Sequence, residues 1–116
     1  MKKYKDTYSY SASDLILYMR SPFAAWMSRL EIDKPELVSD IEKEKDPLAP
    51  LLARKGDEHE SNYLTQIIEL YGADNVVQIA RDENAANATI QAMQAGFQVI
   101  VQAYLQRDNF EGYADF

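Results

Sequence analysis

The sequence predicts an α+β fold with N-terminal helices, one long helix and a short, mainly antiparallel sheet. Three observations predict it. Residues 51–71 repeat apolar side chains at intervals of three and four, the spacing of one helix face. Residues 97–106, FQVIVQAYLQ, alternate at the period of a strand. Ahead of both, two short apolar runs are divided by Ser21 and Pro22, which reads as a helix stop followed by a restart.

The elements follow in chain order. In SASD, residues 11–14, Ser11 or Ser13 can cap a short helix running from about Asp14 to Arg20. Pro22 opens a second helix over Phe23 to Leu30, with Phe23, Trp26, Met27 and Leu30 on one face and Trp26 as its aromatic anchor. Residues 31–50 hold three prolines and closely mixed charges, so they read as an exposed connector and the expected mobile part. The central helix spans Leu51 to Tyr71, with Leu52, His59, Tyr63, Leu64, Ile67, Ile68 and Tyr71 along one side and Gly72 as its stop. NVVQIA, residues 75–80, is β-branched and strand-like. Asn84 to Gln94 reads as a helix that buries Ala85, Ala88, Ile90, Ala92 and Met93 and ends at Gly96. The strand over 97–106 then turns at residues 107–109 into FEGYADF as its antiparallel partner. No internal repeat interrupts this order.

Length and composition bound the function. A chain of 116 residues is one domain at most, and 47% apolar with 27% charged residues is an ordinary globular balance. There is no cysteine, which rules out disulfides, thiolate metal sites and a cysteine nucleophile. The net charge of −7 argues against a purely electrostatic nucleic-acid binder, because such affinity comes from Lys and Arg on phosphates. Lys2, Lys3 and Lys5 form only a small basic cluster. No apolar run has the length of a membrane span and no signal peptide is visible, so the expected location is the cytoplasm, with no membrane partner.

The sole histidine lies in KGDEHE, residues 55–60. His59 follows Gly56 by three residues and precedes Tyr63 by four, so the three share a face of the central helix. A helical glycine costs roughly 1 kcal/mol relative to alanine, and the space it leaves suits either a close-packed strand or a metal with its waters. In the alternative reading His59 is a core histidine and Gly56 a packing residue. GYAD, residues 112–115, adds Gly112 and Asp115 near the chain end; a Gly-x-x-Asp is also common as a plain turn.

Taken in order, a helix with G-x-x-H, a strand, a helix, a long strand and a hairpin into G-x-x-D resembles the first half of the RecB-like branch of the PD-(D/E)XK nucleases. SASDLILYMRSPFAAWM, LLARKGDEHE and AMQAGFQVIVQAYLQRDNFEGYADF carry the resemblance, which covers most of residues 11–116. It implies the N-terminal part of an incomplete restriction-endonuclease-like α/β core. It further implies that His59 and Asp115 are catalytic and bind Mg²⁺ or Mn²⁺, with Gly56, Glu60 and Gly112 in support. Oxygen ligands suit such hard cations, and imidazole suits manganese better than magnesium. The bound metal of this family activates water to hydrolyse a phosphodiester.

Two departures from the family pattern are present. Ser21 stands before Pro22 where many relatives have a cluster-binding cysteine, so no iron–sulfur cluster is expected. No (D/E)-x-K follows Asp115, so the chain is expected to be a fragment of a DNA-cleaving hydrolase and inactive alone. The DNA grip would then lie in the parent protein, in a fused helicase or C-terminal region, and the unfinished sheet edge could self-associate. The competing expectation is a non-catalytic α+β interaction module that binds partners through Phe23 and Trp26.

Overall fold

A computed structural model of the chain describes residues 1–41 and 44–116. Its contacts group into two compact units, residues 1–43 with 106–112, and residues 44–105 with 113–116. The architecture is mixed α+β, and short antiparallel pairs are present.

The first unit opens with a hairpin of β1 (Lys2–Tyr4) and β2 (Thr7–Ser9), paired antiparallel from Lys2↔Ser9 to Tyr4↔Thr7. Lys5 takes a φ of 55° in the turn. Sequence reading leaves this stretch as a polar start, because three-residue strands are too short to display a period of two. Helix α1 (Ala12–Arg20) starts at Ser11, whose side chain accepts from the Asp14 N–H while the Asp14 carboxylate accepts from the Ser11 N–H. That reciprocal cap selects Ser11 over Ser13.

Helix α2 (Pro22–Asp33) is capped by the Ser21 hydroxyl, which accepts from the Ala24 N–H at 3.2 Å. It runs three residues past Leu30, and a 3₁₀ turn (Pro35–Leu37) follows. The expected connector is therefore shorter than 31–50; Glu42 and Lys43 within it lie outside the described residues. Met27 and Leu30 are partly covered as expected, but Phe23 and Trp26 are 68% and 56% exposed, with ring centroids 6.0 Å apart. No residue of α2 is fully buried, and Trp26 is exposed while its neighbours Ala25 and Met27 are partly covered, so Trp26 is not an anchor of its packing.

The exposed Asp33 carboxylate collects three donors of this unit. Lys3 Nζ lies at 2.8 Å, the Tyr8 hydroxyl donates to the same oxygen, and Arg29 Nε donates to the other at 2.9 Å. In that order these bonds hold the Asp33 pKa well below its ordinary 3.8. Because the folded-state pKa is depressed, the stabilisation is present above pH 3.8 and is lost as pH falls below it. Asp33→Asn is therefore expected to flatten the acid limb of a circular-dichroism titration below about pH 4 relative to the parent, with little difference near neutrality.

The second unit begins with α3 (Ala49–Tyr71) and β3 (Val76–Gln78). Helix α4 (Ala85–Ala95) then returns the chain so that β4 (Val99–Val101) pairs parallel with β3, in register Val76↔Val99 to Gln78↔Val101. A helical crossover is what a parallel pair requires. Gly96 closes α4 at a φ of 78°, a left-handed position that favours glycine. After β4 come β5 (Ala103–Arg107) and β6 (Phe110–Ala114), joined through Asp108 and Asn109; residues 106–112 of this pair group with the first unit. Asp108 adopts a φ of 52°, which a short polar side chain tolerates.

The core of this unit gathers Ile79, Ala85 and Ala92, with Val77, Ala88, Phe97, Ile100, Tyr104 and Tyr113 packed around them. Two expectations need correction. Ile90 and Met93 of α4 are exposed rather than buried, whereas Thr89 is buried. The inward row is Ala85, Thr89 and Ala92, a strict four-and-three spacing, and Ile90 and Met93 fall off it. The single strand expected over 97–106 is broken at Gln102. Val101, Gln102 and Ala103 are all buried in succession, and Gln102, at a φ of 57°, separates β4, which pairs with β3, from β5, which pairs with β6.

Candidate functional site

The break at Gln102 organises the site. Gln102 is 6% exposed and sits at a φ of 57°, a left-handed conformation that costs an L-residue with a Cβ roughly 1–2 kcal/mol. A residue held there is over-determined by its surroundings. Its backbone N–H donates to the Asp115 carbonyl at 3.0 Å. On the preceding residue, the Val101 carbonyl accepts from the Ile79 N–H at 2.9 Å. The chain is thus tied to β3 before the kink and to the end of β6 at it.

The side chain completes the arrangement. Gln102 Oε1 accepts from Arg81 Nε at 3.0 Å and also from Arg81 Nη2, and the Arg81 guanidinium lies 4.8 Å from the centre of the Tyr113 ring. On the other side, Gln102 Nε2 donates to Glu60 Oε1 at 2.5 Å and to Asp115 Oδ1 at 3.3 Å. One amide nitrogen therefore meets two carboxylates. The amide's acceptor end faces a cation and its donor end faces two anions, the arrangement that charge-assisted bonding favours.

Helix α3 delivers Glu60. Its covered row is Glu60, Leu64 and Ile67, at intervals of four and three. Of the expected row, Leu64 and Ile67 are covered, whereas Leu52, His59, Tyr63, Ile68 and Tyr71 are exposed, and Glu60, one position and about 100° from His59, takes the inward place. His59 and Tyr63 are exposed, and the Tyr63 ring meets Phe116 edge-on at 4.9 Å. Asp115 is exposed but within reach of Gln102, while Gly112 lies in β6. The structure thus brings Glu60 and Asp115 together around Gln102 and places His59 on the adjoining, solvent-facing side of α3.

A Cβ built at Gly56 meets nothing within 4 Å, so no close approach at that position requires glycine. Gly56→Ala is expected to raise stability by roughly 0.5–1 kcal/mol through helix propensity, measured as a higher urea midpoint. An unchanged or lower midpoint would mean that the open space is used by something else.

A cleft of about 600 Å³ opens beside the cluster, lined by Asp57, Glu60, Gln78, Ile79, Ala80, Arg81 and Gln102. Carboxylates thus predominate around the amide, with Arg81 as the nearby cation. Such a setting attracts small cations. Among the described residues no three His, Cys, Asp or Glu side chains converge on one point. Two carboxylates still fit a hard divalent cation that keeps most of its waters, since magnesium is commonly held by one or two carboxylates together with substrate phosphate. Among the described residues, neither Glu60 Oε2 nor Asp115 Oδ2 accepts a hydrogen bond.

Sequence reading does not single out Gln102 or Arg81 for the site. A signal for the first exists: Gln102 interrupts the apolar run VIVQAYL, and a buried amide there must find hydrogen-bond partners. No family model, no curated protein and no solved structure matches this chain. Among the described residues no helix is long and apolar enough to cross a membrane.

Proposed function

We propose that this chain contributes part of a metal-dependent site for hydrolysing DNA phosphodiester bonds. The observation that carries the reading is the convergence of Glu60 and Asp115 on one amide nitrogen. Motif order supports it as well, because Asp115 falls in the Gly-x-x-Asp whose acid the RecB-like resemblance makes a Mg²⁺ or Mn²⁺ ligand.

In this reading Glu60 and Asp115 hold the cation through oxygen, and His59, one position away on α3, is a further candidate ligand. When bound, the metal polarises the phosphodiester and acidifies its water. Arg81 neutralises charge beside the cleft, a role suited to a guanidinium facing phosphate oxygens. Among the described residues the cluster holds no lysine and no third converging acid, so the 116-residue chain is expected to bind a cation without cutting DNA.

Calorimetric titration with Mn²⁺, run beside a cleavage assay on single-stranded DNA, tests this. The expected result is one cation site per chain and intact DNA. No Mn²⁺ binding would remove the metal-site reading. Metal-dependent cleavage abolished by His59→Ala would make His59 a working catalytic residue and the chain an enzyme in its own right.

A second reading rests on the exposed Phe23–Trp26 pair of α2, which suits a protein-interaction module. Loss of a partner on Phe23→Ala with Trp26→Ala, while Mn²⁺ binding persists, would establish that role separately.

A further inference from the structure

We infer that Gln102 is the positioning residue of the acid pair: its amide fixes Glu60 and Asp115 at one separation and leaves an oxygen of each turned to a ligand. The inference deepens the metal-site reading above and rests on it for the identity of the ligand. Three features of Gln102 converge. Its backbone is held at a φ of 57° and bonded to the Asp115 carbonyl. Its Oε1 is fixed by Arg81, which sets the amide plane and leaves Nε2 facing the acids. Its Nε2 spans Glu60 of α3 and Asp115 beyond β6, 55 residues apart in sequence.

The geometry separates two tasks. Nε2 uses Oε1 of Glu60 and Oδ1 of Asp115. The remaining oxygens, Glu60 Oε2 and Asp115 Oδ2, accept no hydrogen bond among the described residues. A carboxylate that ligates a cation through one oxygen is oriented by a donor on the other, and loss of such a donor commonly weakens metal binding by 10- to 100-fold. Without the amide, two like charges would face each other with no donor between them and would move apart.

The left-handed backbone gives the assignment a structural rationale. Glycine would adopt this φ with less strain, yet the position carries a long amide whose polar atoms are all engaged. The strain is consistent with a side chain required at that point rather than with a turn required there.

Two measurements on the 116-residue chain test the role. In ¹⁵N-resolved NMR spectra the Gln102 side-chain NH₂ pair is expected to shift on both Glu60→Gln and Asp115→Asn, since it touches both carboxylates. By calorimetry, Gln102→Met, which keeps length but removes the donor, is expected to weaken Mn²⁺ binding at least tenfold with its far-ultraviolet dichroism unchanged. An NH₂ pair indifferent to both acid substitutions would overturn the inference, as would wild-type Mn²⁺ affinity in a folded Gln102→Met. If Gln102→Met unfolds, the spectra of the two acid variants decide alone. If the NH₂ pair responds but the parent chain binds no Mn²⁺, the positioning role stands and the metal reading falls.

Discussion

Asp115→Asn is expected to weaken Mn²⁺ binding by the chain at least tenfold, a loss of about 1.4 kcal/mol or more. Asparagine keeps the shape of the side chain and an oxygen for the 3.3 Å contact from Gln102 Nε2. What it removes is the charge. A hard divalent cation held by only two carboxylates depends strongly on each, so the loss should appear in affinity rather than in folding. Calorimetry gives the affinity, and a thermal melt in a chelator verifies the fold. Retained affinity would show that Asp115 is not a ligand and would turn attention to His59, which stands exposed on α3.

Thr89→Val is expected to destabilise the second unit by roughly 1–3 kcal/mol, the cost of removing one partner from a buried hydrogen bond. Thr89 is 1% exposed, and its hydroxyl accepts from the Tyr104 N–H at 2.9 Å. That bond ties α4 to β5 just after the kink. Valine fills the same space and adds apolar surface, but it withdraws the acceptor that threonine supplies. Thr89→Ser is the control: it keeps the acceptor and loses one methyl, about 0.8 kcal/mol. Urea unfolding should therefore rank valine below serine, and the reverse order would show that the hydroxyl matters less than the packing around it.

Much of the fold is legible where one side chain dictates the backbone. Ser11 caps α1, Pro22 opens α2, Gly96 ends α4 at positive φ, and Asp108 turns β5 into β6. The α+β class follows from runs long enough to show a period. What eluded the sequence depends on contacts between distant segments. The burial of Thr89 in place of Ile90 and Met93 is decided by which side of α4 meets the strands. Helical periodicity fixes rows of residues but not which of two adjacent rows turns inward.

The site follows the same logic. Asp115 stands out through its Gly-x-x-Asp, and Glu60 is visible as a neighbour of His59, but their meeting requires the kink at Gln102. An alternating reading of residues 97–106 sends Gln102 outward between Val101 and Ala103. In the structure all three are buried, because the left-handed residue changes the side to which the chain points. Arg81 leaves no periodic trace at all, since its role arises from reaching Gln102 across 21 residues of sequence.

The most direct test of the acid pair is a crystal of the chain grown with saturating Mn²⁺ and measured at a wavelength where manganese scatters anomalously. The account predicts an anomalous peak bonded to both Glu60 and Asp115, with the Gln102 amide still on their other oxygens. Well-ordered crystals with no peak at that pair, or with manganese held by His59 alone, would contradict it.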